Sequence, residues 1–155
     1  MPDAGAAGTL VIERSFAAPA TAVFDAFTRE DVMRRWWHAR REWSTSEASV
    51  DLRVGGAVRV VMVDLDGDSH GGGGHYTVVD RPRRLAFTWT WDRDDEGGRE
   101  TLIEIAFVES GGATAVTFTH SNLRDEATVR DHEEGWNGCF DNLERTLAAG
   151  PAGGA

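Results

Sequence analysis

The sequence predicts an α+β domain in which a long C-terminal helix packs against an antiparallel β-sheet. In the middle of the chain, short segments alternate between apolar and polar residues and are separated by Gly- and Asp-rich turns. Two short helical patterns follow the first strand, and one long amphipathic pattern ends the chain. Helices that flank a run of strands are typical of α+β folds, in which a helix covers the sheet.

A strand and two short helices begin the predicted domain. Residues 9–16 alternate between apolar and polar side chains, which predicts a strand. Pro19 opens the first short helix, because a proline at the first helical position leaves no N–H without a partner. Thr28 resembles an N-cap for a second helix over residues 29–37, which has acidic residues in its first turn.

Six further strands follow, each short and each ended by a turn. The periodicity places them at residues 47–54, 57–63, 75–79, 85–91, 103–107 and 114–120. Residues 64–74 are polar and Gly-rich and are predicted to form a turn, as are residues 80–82 and 92–98. Short strands joined by tight turns indicate an antiparallel sheet.

One long helix over residues 125–148 ends the predicted domain. Its apolar stripe carries Val129, Trp136, Phe140, Leu143 and Leu147. The opposite face carries Asp131, Glu134, Asp141 and Arg145. We therefore predict one domain over residues 9–148, with disordered Ala- and Gly-rich tails at residues 1–8 and 149–155.

The composition argues against several functional classes. The chain has 155 residues and a formal net charge of −10, whereas nucleic acids and anionic membranes attract basic surfaces. It contains no lysine, which excludes a Schiff-base lysine and the lysine of a phosphate-binding loop. No apolar run is long enough to span a bilayer. Residues 1–8 lack the features of a signal peptide, so we expect a cytoplasmic protein.

The sequence predicts neither a metal site nor a cofactor. The single cysteine, Cys139, excludes an internal disulfide and a Cys-rich zinc site, and its apolar helix face indicates a buried, unreactive thiol. The spaced aspartates of residues 64–68 resemble a calcium loop, but Ser69 and His75 stand where that loop needs glycine and glutamate. His132 lacks the second histidine of a zinc-protease helix.

Two features indicate a cavity between the last helix and the sheet. Gly135 and Gly138 lie inside the helix, where each glycine costs about 1 kcal/mol relative to alanine. Their presence is explained either by close backbone packing or by space kept for a ligand, and the sequence leaves both explanations open. The chain also contains six tryptophans, whose large apolar area and N–H donor suit a pocket for a partly polar ligand.

The predicted pocket combines apolar walls with a few polar contacts. The walls are assigned to Trp37, Met62, Phe87, Trp89, Trp91, Phe118, Trp136 and Phe140. The polar contacts are assigned to His75, Tyr76 and His120. A histidine here could be a core residue bonded to a carbonyl group, or it could face the pocket as a ligand contact or a general base.

The ordered set of motifs resembles the SRPBCC (START-like, helix-grip) superfamily, and within it the branch named for the activator of the heat-shock-protein-90 ATPase. The resemblance covers residues 9–148 and is carried by Phe16-Ala17-Ala18-Pro19, Val23-Phe24, Trp36-Trp37, Val54-Gly55-Gly56, Asp80-Arg81-Pro82 and His132-Glu133-Glu134-Gly135-Trp136. It implies a β-α-α-β6-α helix-grip fold, in which a curved sheet wraps around the C-terminal helix and encloses a pocket. Members of the superfamily bind lipids, polyketides, hormones or antibiotics, and some are cyclases or aromatases.

Three functional hypotheses follow from the residues and the resemblance. The first is binding of a hydrophobic small molecule that is aromatic, polyketide-like or lipid-like. The second is a cyclase, aromatase or hydrolase that uses His120 or His75 as an acid or base. The third is a module that interacts with a chaperone, which requires a large exposed patch in place of a cavity. A homodimer is compatible with each of them.

Overall fold

Seven strands and three helices form within residues 8–93 and 98–149, the part of the chain that the computed structural model describes. In chain order they are β1 (Gly8–Phe16), α1 (Ala20–Thr28), α2 (Glu30–Trp36), β2 (Ser44–Val50), β3 (Ala57–Val63), β4 (Ser69–Asp80), β5 (Arg84–Trp91), β6 (Thr101–Ser110), β7 (Ala113–Leu123) and α3 (Glu126–Ala149). The strands form one antiparallel, curved sheet with the order β1-β7-β6-β5-β4-β3-β2. The predicted α+β class and the β-α-α-β6-α order are confirmed.

Strand β4 begins earlier than the sequence predicts, because it includes the glycine-rich segment assigned to a turn. Gly71 pairs with Val61 of β3, and Gly72 lies opposite Trp91 of β5. A Cβ atom at Gly72 would lie 2.7 Å from Cζ2 of Trp89, so the missing side chain leaves room for that indole. Contacts with distant residues therefore override the weak strand propensity of glycine.

The remaining differences concern the ends of elements. Strand β2 spans Ser44–Val50 instead of residues 47–54. Helix α1 begins at Ala20, with Pro19 as its N-cap. The predicted capping role of Thr28 is wrong, because this residue ends α1 and its hydroxyl donates to the carbonyl of Phe24 at 3.1 Å. The N-cap of α2 is the following arginine, without a side-chain bond.

The predicted tails and one predicted turn are described only in part. Gly8 and Ala149, assigned to disordered tails, lie in β1 and α3. The rest of both tails lies outside the described residues. The same holds for residues 94–97 of the turn that follows β5.

Helix α2 covers the sheet edge formed by β2. The carboxylate of Glu30 accepts a hydrogen bond from the backbone N–H of Val50 at 2.8 Å. The guanidinium of Arg34 donates to the carbonyl of Ser46 at 3.0 Å. These side chains occupy backbone groups that an open edge would offer to another strand.

The core lies between the concave face of the sheet and the three helices. Helix α3 buries Trp136, Cys139, Phe140 and Leu143. The ring of Phe140 meets that of Phe118 on β7 at 5.1 Å in an edge-to-face arrangement, which aromatic pairs favour. None of the described helices is long and apolar enough to cross a membrane.

Candidate functional site

A cavity of about 240 Å³ remains at one end of the gap between α3 and the sheet. Its apolar wall is formed by Trp37, Trp43, Met62, Trp89, Trp91 and Trp136. Small side chains also line it, at Ala39, Gly135 and Cys139. Its polar lining consists of His70, Arg93, Asp131 and His132. The two charged residues of this set are exposed, so they mark the side where the cavity meets solvent.

A stack of indole rings fills the gap beside the cavity and forms its inner wall. Trp36 ends α2 and stacks on Trp37 with a centroid distance of 5.2 Å, and its N–H donates to the carbonyl of Ala26 at 2.8 Å. Trp37 stacks in turn on Trp89 of β5 at 6.0 Å, with 21° between the ring planes. Trp136 of α3 meets Trp37 edge-to-face at 5.6 Å. These rings fill the interior on one side of the cavity.

The two glycines of α3 have different roles, so both explanations left open by the sequence apply, one to each glycine. A Cβ at Gly138 would overlap the carbonyl oxygen of Ala39, which means that this glycine permits close backbone packing. A Cβ at Gly135 would meet only the Cβ of Ala39, at 3.9 Å, and Gly135 lines the cavity. The close approach joins α3 to the loop of residues 37–43, not to the sheet.

His120 lies behind the cavity wall in a chain of hydrogen bonds. The hydroxyl of Thr101 donates to the carbonyl of Trp89 at 2.9 Å, so it can only accept from Nε2–H of His120 at 2.8 Å. The indole N–H of Trp136 donates to Nδ1 of His120 at 3.2 Å. Burial, and to a lesser extent His132, lowers the pKa of His120 to about 3. The ring is therefore neutral, with its proton on Nε2.

A second chain of the same kind holds Trp37. The hydroxyl of Thr45 donates to the carbonyl of Trp37 at 2.8 Å and accepts from Nδ1–H of His38 at 2.8 Å. Burial and then the charge of Arg145 lower the pKa of His38, which keeps it neutral. The carbonyl of His38 accepts from the side-chain amide of Asn142 at 3.0 Å. The backbones of both stacked cavity tryptophans are thus fixed by a His–Thr pair.

The two histidines that line the cavity use both ring nitrogens in hydrogen bonds. Nδ1–H of His132 donates to the carbonyl of Thr128 at 2.8 Å, and its Nε2 accepts from the indole of Trp91 at 3.1 Å. His70 contacts the carboxylate of Asp64 through Nε2 at 2.8 Å. The guanidinium of Arg93 donates to its Nδ1 at 3.3 Å. This ring also stacks on an indole, that of Trp43, at 5.3 Å.

Two buried side-chain polar atoms of the described residues lack a hydrogen-bond partner, the hydroxyl of Tyr76 and Nε1 of Trp89. Trp89 lines the cavity with other atoms of its ring and Tyr76 does not line it, so neither of these two buried atoms faces the cavity. Burial raises the pKa of Tyr76, with a smaller effect of Glu30, so the phenol stays protonated. Burial likewise raises the pKa of the Cys139 thiol, so this thiol stays protonated, as expected for a buried cysteine.

Comparison with known proteins assigns the chain to a family. The sequence profile of the Activator of Hsp90 ATPase homolog 1-like proteins matches residues 17–148. The chain belongs to this family. No curated protein matches it.

Solved structures similar to this Hsp90-ATPase-activator-like chain come from several bacteria. The AHSA1 protein of Silicibacter pomeroyi is 29% identical, with a TM-score of 0.80 over 91% of this chain and 98% of that one. A protein of Rhizobium leguminosarum is 30% identical, with a TM-score of 0.74 over 91% and 94%. A protein of Rhodobacter sphaeroides is 22% identical and shows the same fold, with a TM-score of 0.81 over 97% of each chain. The resemblance found in the motifs is confirmed, and the fold is consistent with a helix-grip binding module.

The structure brings together about half of the residues that the sequence assigned to the pocket of this family member. Those that line the cavity are Trp37, Met62, Trp89, Trp91 and Trp136. Those buried in the core without lining it are Tyr76, Phe87, Phe118, His120 and Phe140. His75 is exposed, because it lies one position out of phase with the concave-facing residues of β4.

Sequence reasoning missed Trp43, His70 and His132 as cavity residues. His70 fell in the segment assigned to a turn, so no face was considered for it. His132 stands among charged residues, but it lies four positions before Trp136 and hence on the same side of α3. That spacing was the signal that could have identified it.

Proposed function

We propose that this protein binds a small aromatic molecule of one or two rings in the cavity between α3 and strands β3 to β5. The observation that carries the proposal is that five of the six tryptophans surround one open volume of about 240 Å³. The packed rings of Phe27, Trp36 and Phe140 elsewhere in the core show that this sequence can fill space with aromatic side chains. The space left open beside them supports a binding site.

The cavity volume favours a compact ligand over a lipid or a polycyclic polyketide. An engineered cavity of about 150 Å³ in another protein binds benzene, and pockets for drug-sized ligands measure about 300–1,000 Å³. The volume of about 240 Å³ lies between these values. One ring with substituents, or two fused rings, suits this size.

Binding is better supported than catalysis by the histidines. His75 is exposed and His120 is enclosed, and neither lines the cavity. The histidines that do line it, His70 and His132, already use both ring nitrogens. A general base needs a free nitrogen within reach of the substrate proton, and this arrangement offers none.

The chaperone hypothesis has less support than small-molecule binding. Among the described residues, the large apolar side chains that are exposed are Val11, Leu52, Val54, Leu65 and Val108. They lie on β1, on β6 and in two separate turns. Scattered single residues of this kind are normal on a protein surface and do not define a docking patch.

A cavity-filling variant tests the proposal. Gly135→Leu places a branched side chain in the cavity from α3, and the contact distance of 3.9 Å to Ala39 shows that its Cβ can be accommodated. We expect wild-type protein to bind members of a panel of one- and two-ring aromatics, with a saturable change in tryptophan fluorescence. Gly135→Leu should weaken this binding at least about tenfold by occupying the same volume. Gly135→Ala is the matched control and should bind nearly as well as the wild type.

Two results would contradict the proposal. One is the absence of binding to the wild type across the panel at millimolar concentration, by fluorescence and by native mass spectrometry. The other is equal affinity of the wild type and a folded Gly135→Leu variant, which would place the ligand elsewhere. Circular dichroism and urea unfolding establish that both variants fold.

A further inference from the structure

One hydrogen bond joins helix α3 to strand β5 in the wall of the cavity. The indole N–H of Trp91 donates to Nε2 of His132 at 3.1 Å, and both side chains line the cavity. Among the residues that the structure describes, no other hydrogen bond connects these two elements. Because the cavity lies between α3 and the sheet, the Trp91–His132 bond holds two parts of its wall together.

This bond requires a neutral imidazole with its proton on Nδ1. The carbonyl of Thr128 can only accept, so Nδ1 of His132 must donate to it at 2.8 Å. Nε2 then carries a lone pair, which is the acceptor for Trp91. A proton on Nε2 would occupy that lone pair and place two N–H groups against each other. Protonation of His132 and the Trp91–His132 bond therefore exclude each other.

The histidines of the described cavity lining are His70 and His132, both half-buried, and its charged residues are Arg93 and Asp131. Histidine is the side chain that ordinarily changes charge between about pH 5 and 8. The ring of His120 on β7 also faces His132, at a centroid distance of 5.1 Å. Burial lowers the pKa of His120 to about 3, so this neighbour stays neutral in the same range. Acidification toward about pH 5 therefore acts on the cavity through His132 or His70.

We infer that acidification weakens ligand binding by protonating His132 and breaking its hydrogen bond with Trp91. This inference rests on the proposed function and adds regulation to the same site. The indole of Trp91 then loses its acceptor, and α3 and β5 are no longer held in the arrangement that fits the ligand. The apparent affinity falls with the fraction of protein that keeps the bond intact. One hydrogen bond of this kind corresponds to about a three- to tenfold change in affinity.

Binding of 1-tetralone at about pH 7.5 and 5.5 tests the inference, because this two-ring ketone is uncharged at both values. The readout is the ratio of its two dissociation constants, which cancels any change in absolute affinity between variants. In the wild type the dissociation constant should rise about three- to tenfold on acidification. His132→Gln offers Trp91 an amide oxygen that does not titrate, and Trp91→Phe removes the donor. In both variants the ratio should lie within about twofold of one.

His75→Gln is the matched control, because His75 is exposed and does not line the cavity. It makes the same chemical change as His132→Gln and should keep the wild-type ratio. His70→Gln tests the alternative source of a pH effect, since Nδ1 of His70 accepts a hydrogen bond from Arg93 at 3.3 Å. If the pH dependence disappears in His70→Gln and persists in His132→Gln, the inference is wrong.

A ligand-free measurement keeps the inference testable if a variant does not fold. In ¹⁵N-labelled wild-type protein, the indole proton of Trp91 should shift upfield and exchange faster with water as the pH falls from about 7.5 to 5.5, in step with protonation of the His132 ring. A Trp91 indole signal that stays unchanged while His132 is protonated would overturn the inference. A His132 ring that stays neutral throughout this range would do the same.

The outcomes separate this inference from the proposed function. If 1-tetralone binds the wild type with equal affinity at both pH values, the role of the Trp91–His132 bond is wrong and the binding site stands. If 1-tetralone does not bind but another uncharged panel member does, that compound takes its place in the same comparison. If no panel member binds the wild type, the proposed function fails and the inference fails with it.

Discussion

Replacing Gly135 of α3 by alanine should stabilise the protein, whereas replacing Gly138 of the same helix by alanine should destabilise it. Gly135 and Gly138 are three residues apart in the same helix and would gain the same helix propensity from alanine. Their surroundings differ, because a Cβ at Gly135 meets one methyl group at 3.9 Å and a Cβ at Gly138 meets the backbone of Ala39. A comparison of the two variants therefore isolates the close contact between α3 and the loop of residues 37–43.

The expected magnitudes follow from propensity and overlap. Alanine in place of an interior helical glycine gains up to about 1 kcal/mol, so Gly135→Ala should stabilise the protein by about 0.5–1 kcal/mol. At Gly138 the new Cβ would lie 2.9 Å from the carbonyl carbon of Ala39 and would overlap its oxygen. Overpacking of this kind costs about 1–3 kcal/mol, and backbone atoms yield less easily than side chains. We expect Gly138→Ala to be less stable than Gly135→Ala by about 2–3 kcal/mol.

Urea unfolding followed by tryptophan fluorescence measures this difference. The m-values should agree with that of the wild type, so that the midpoints report stability alone. For a chain of this length, the expected difference in the free energy of unfolding corresponds to melting temperatures of the two variants that differ by about 4–12 °C. Equal stability of the two variants, or a more stable Gly138→Ala, would refute the claim that Gly138 is required by close packing.

Two further predictions concern the buried histidine chain. The pKa of His120 is lowered from 6.5 to about 3 on folding, so the unfolded chain takes up the proton first as the pH falls. The stability that neutral His120 provides is complete above pH 6.5 and is lost between pH 6.5 and 3, by up to about 1.4 kcal/mol per pH unit. Urea unfolding at pH 7, 6 and 5 should show this slope, and His120→Gln should reduce it; an unchanged slope in that variant would assign the effect to other groups. Thr101→Val keeps the side-chain shape but removes the acceptor of His120 and the donor to Trp89, which should cost about 1–3 kcal/mol. The outward-facing control Thr117→Val should change the free energy of unfolding by less than about 0.5 kcal/mol, and a similar effect of both substitutions would contradict the role of the chain.

The order of the elements could be predicted from the sequence because their periodicity is local. The alternation of β5 to β7 and the stripe of α3 each report which residues face the core, without knowledge of the partner. The early start of β4 could not be predicted in this way. Four consecutive glycines favour a turn by propensity, and they form a strand here because they pair with β3 and β5, where Gly72 leaves room for the indole of Trp89.

The candidate site was predictable where one element determined the facing of a side chain. Trp89 and Trp91 follow from the alternation of β5, and Trp136 follows from the stripe of α3. His75 was assigned to the pocket together with its neighbour Tyr76, although consecutive residues of a strand face opposite sides of the sheet. The omission of His70 has a different cause, the misplaced start of β4. Whether His120 lines the cavity or lies behind it depends on the rings packed around it, which no local pattern reports.

The cavity is small, so its capacity to bind depends on the rigidity of its walls. Trp37 and Trp89 stack on each other, and each has its backbone carbonyl bonded to a threonine that is held by a neutral histidine. Buried hydrogen bonds of this kind fix side chains and backbone in one arrangement. A ligand that enters a site already ordered in this way avoids much of the entropy cost of ordering side chains. Because a compact aromatic molecule offers few contacts, such preorganisation is the condition under which a site of about 240 Å³ binds it with useful affinity.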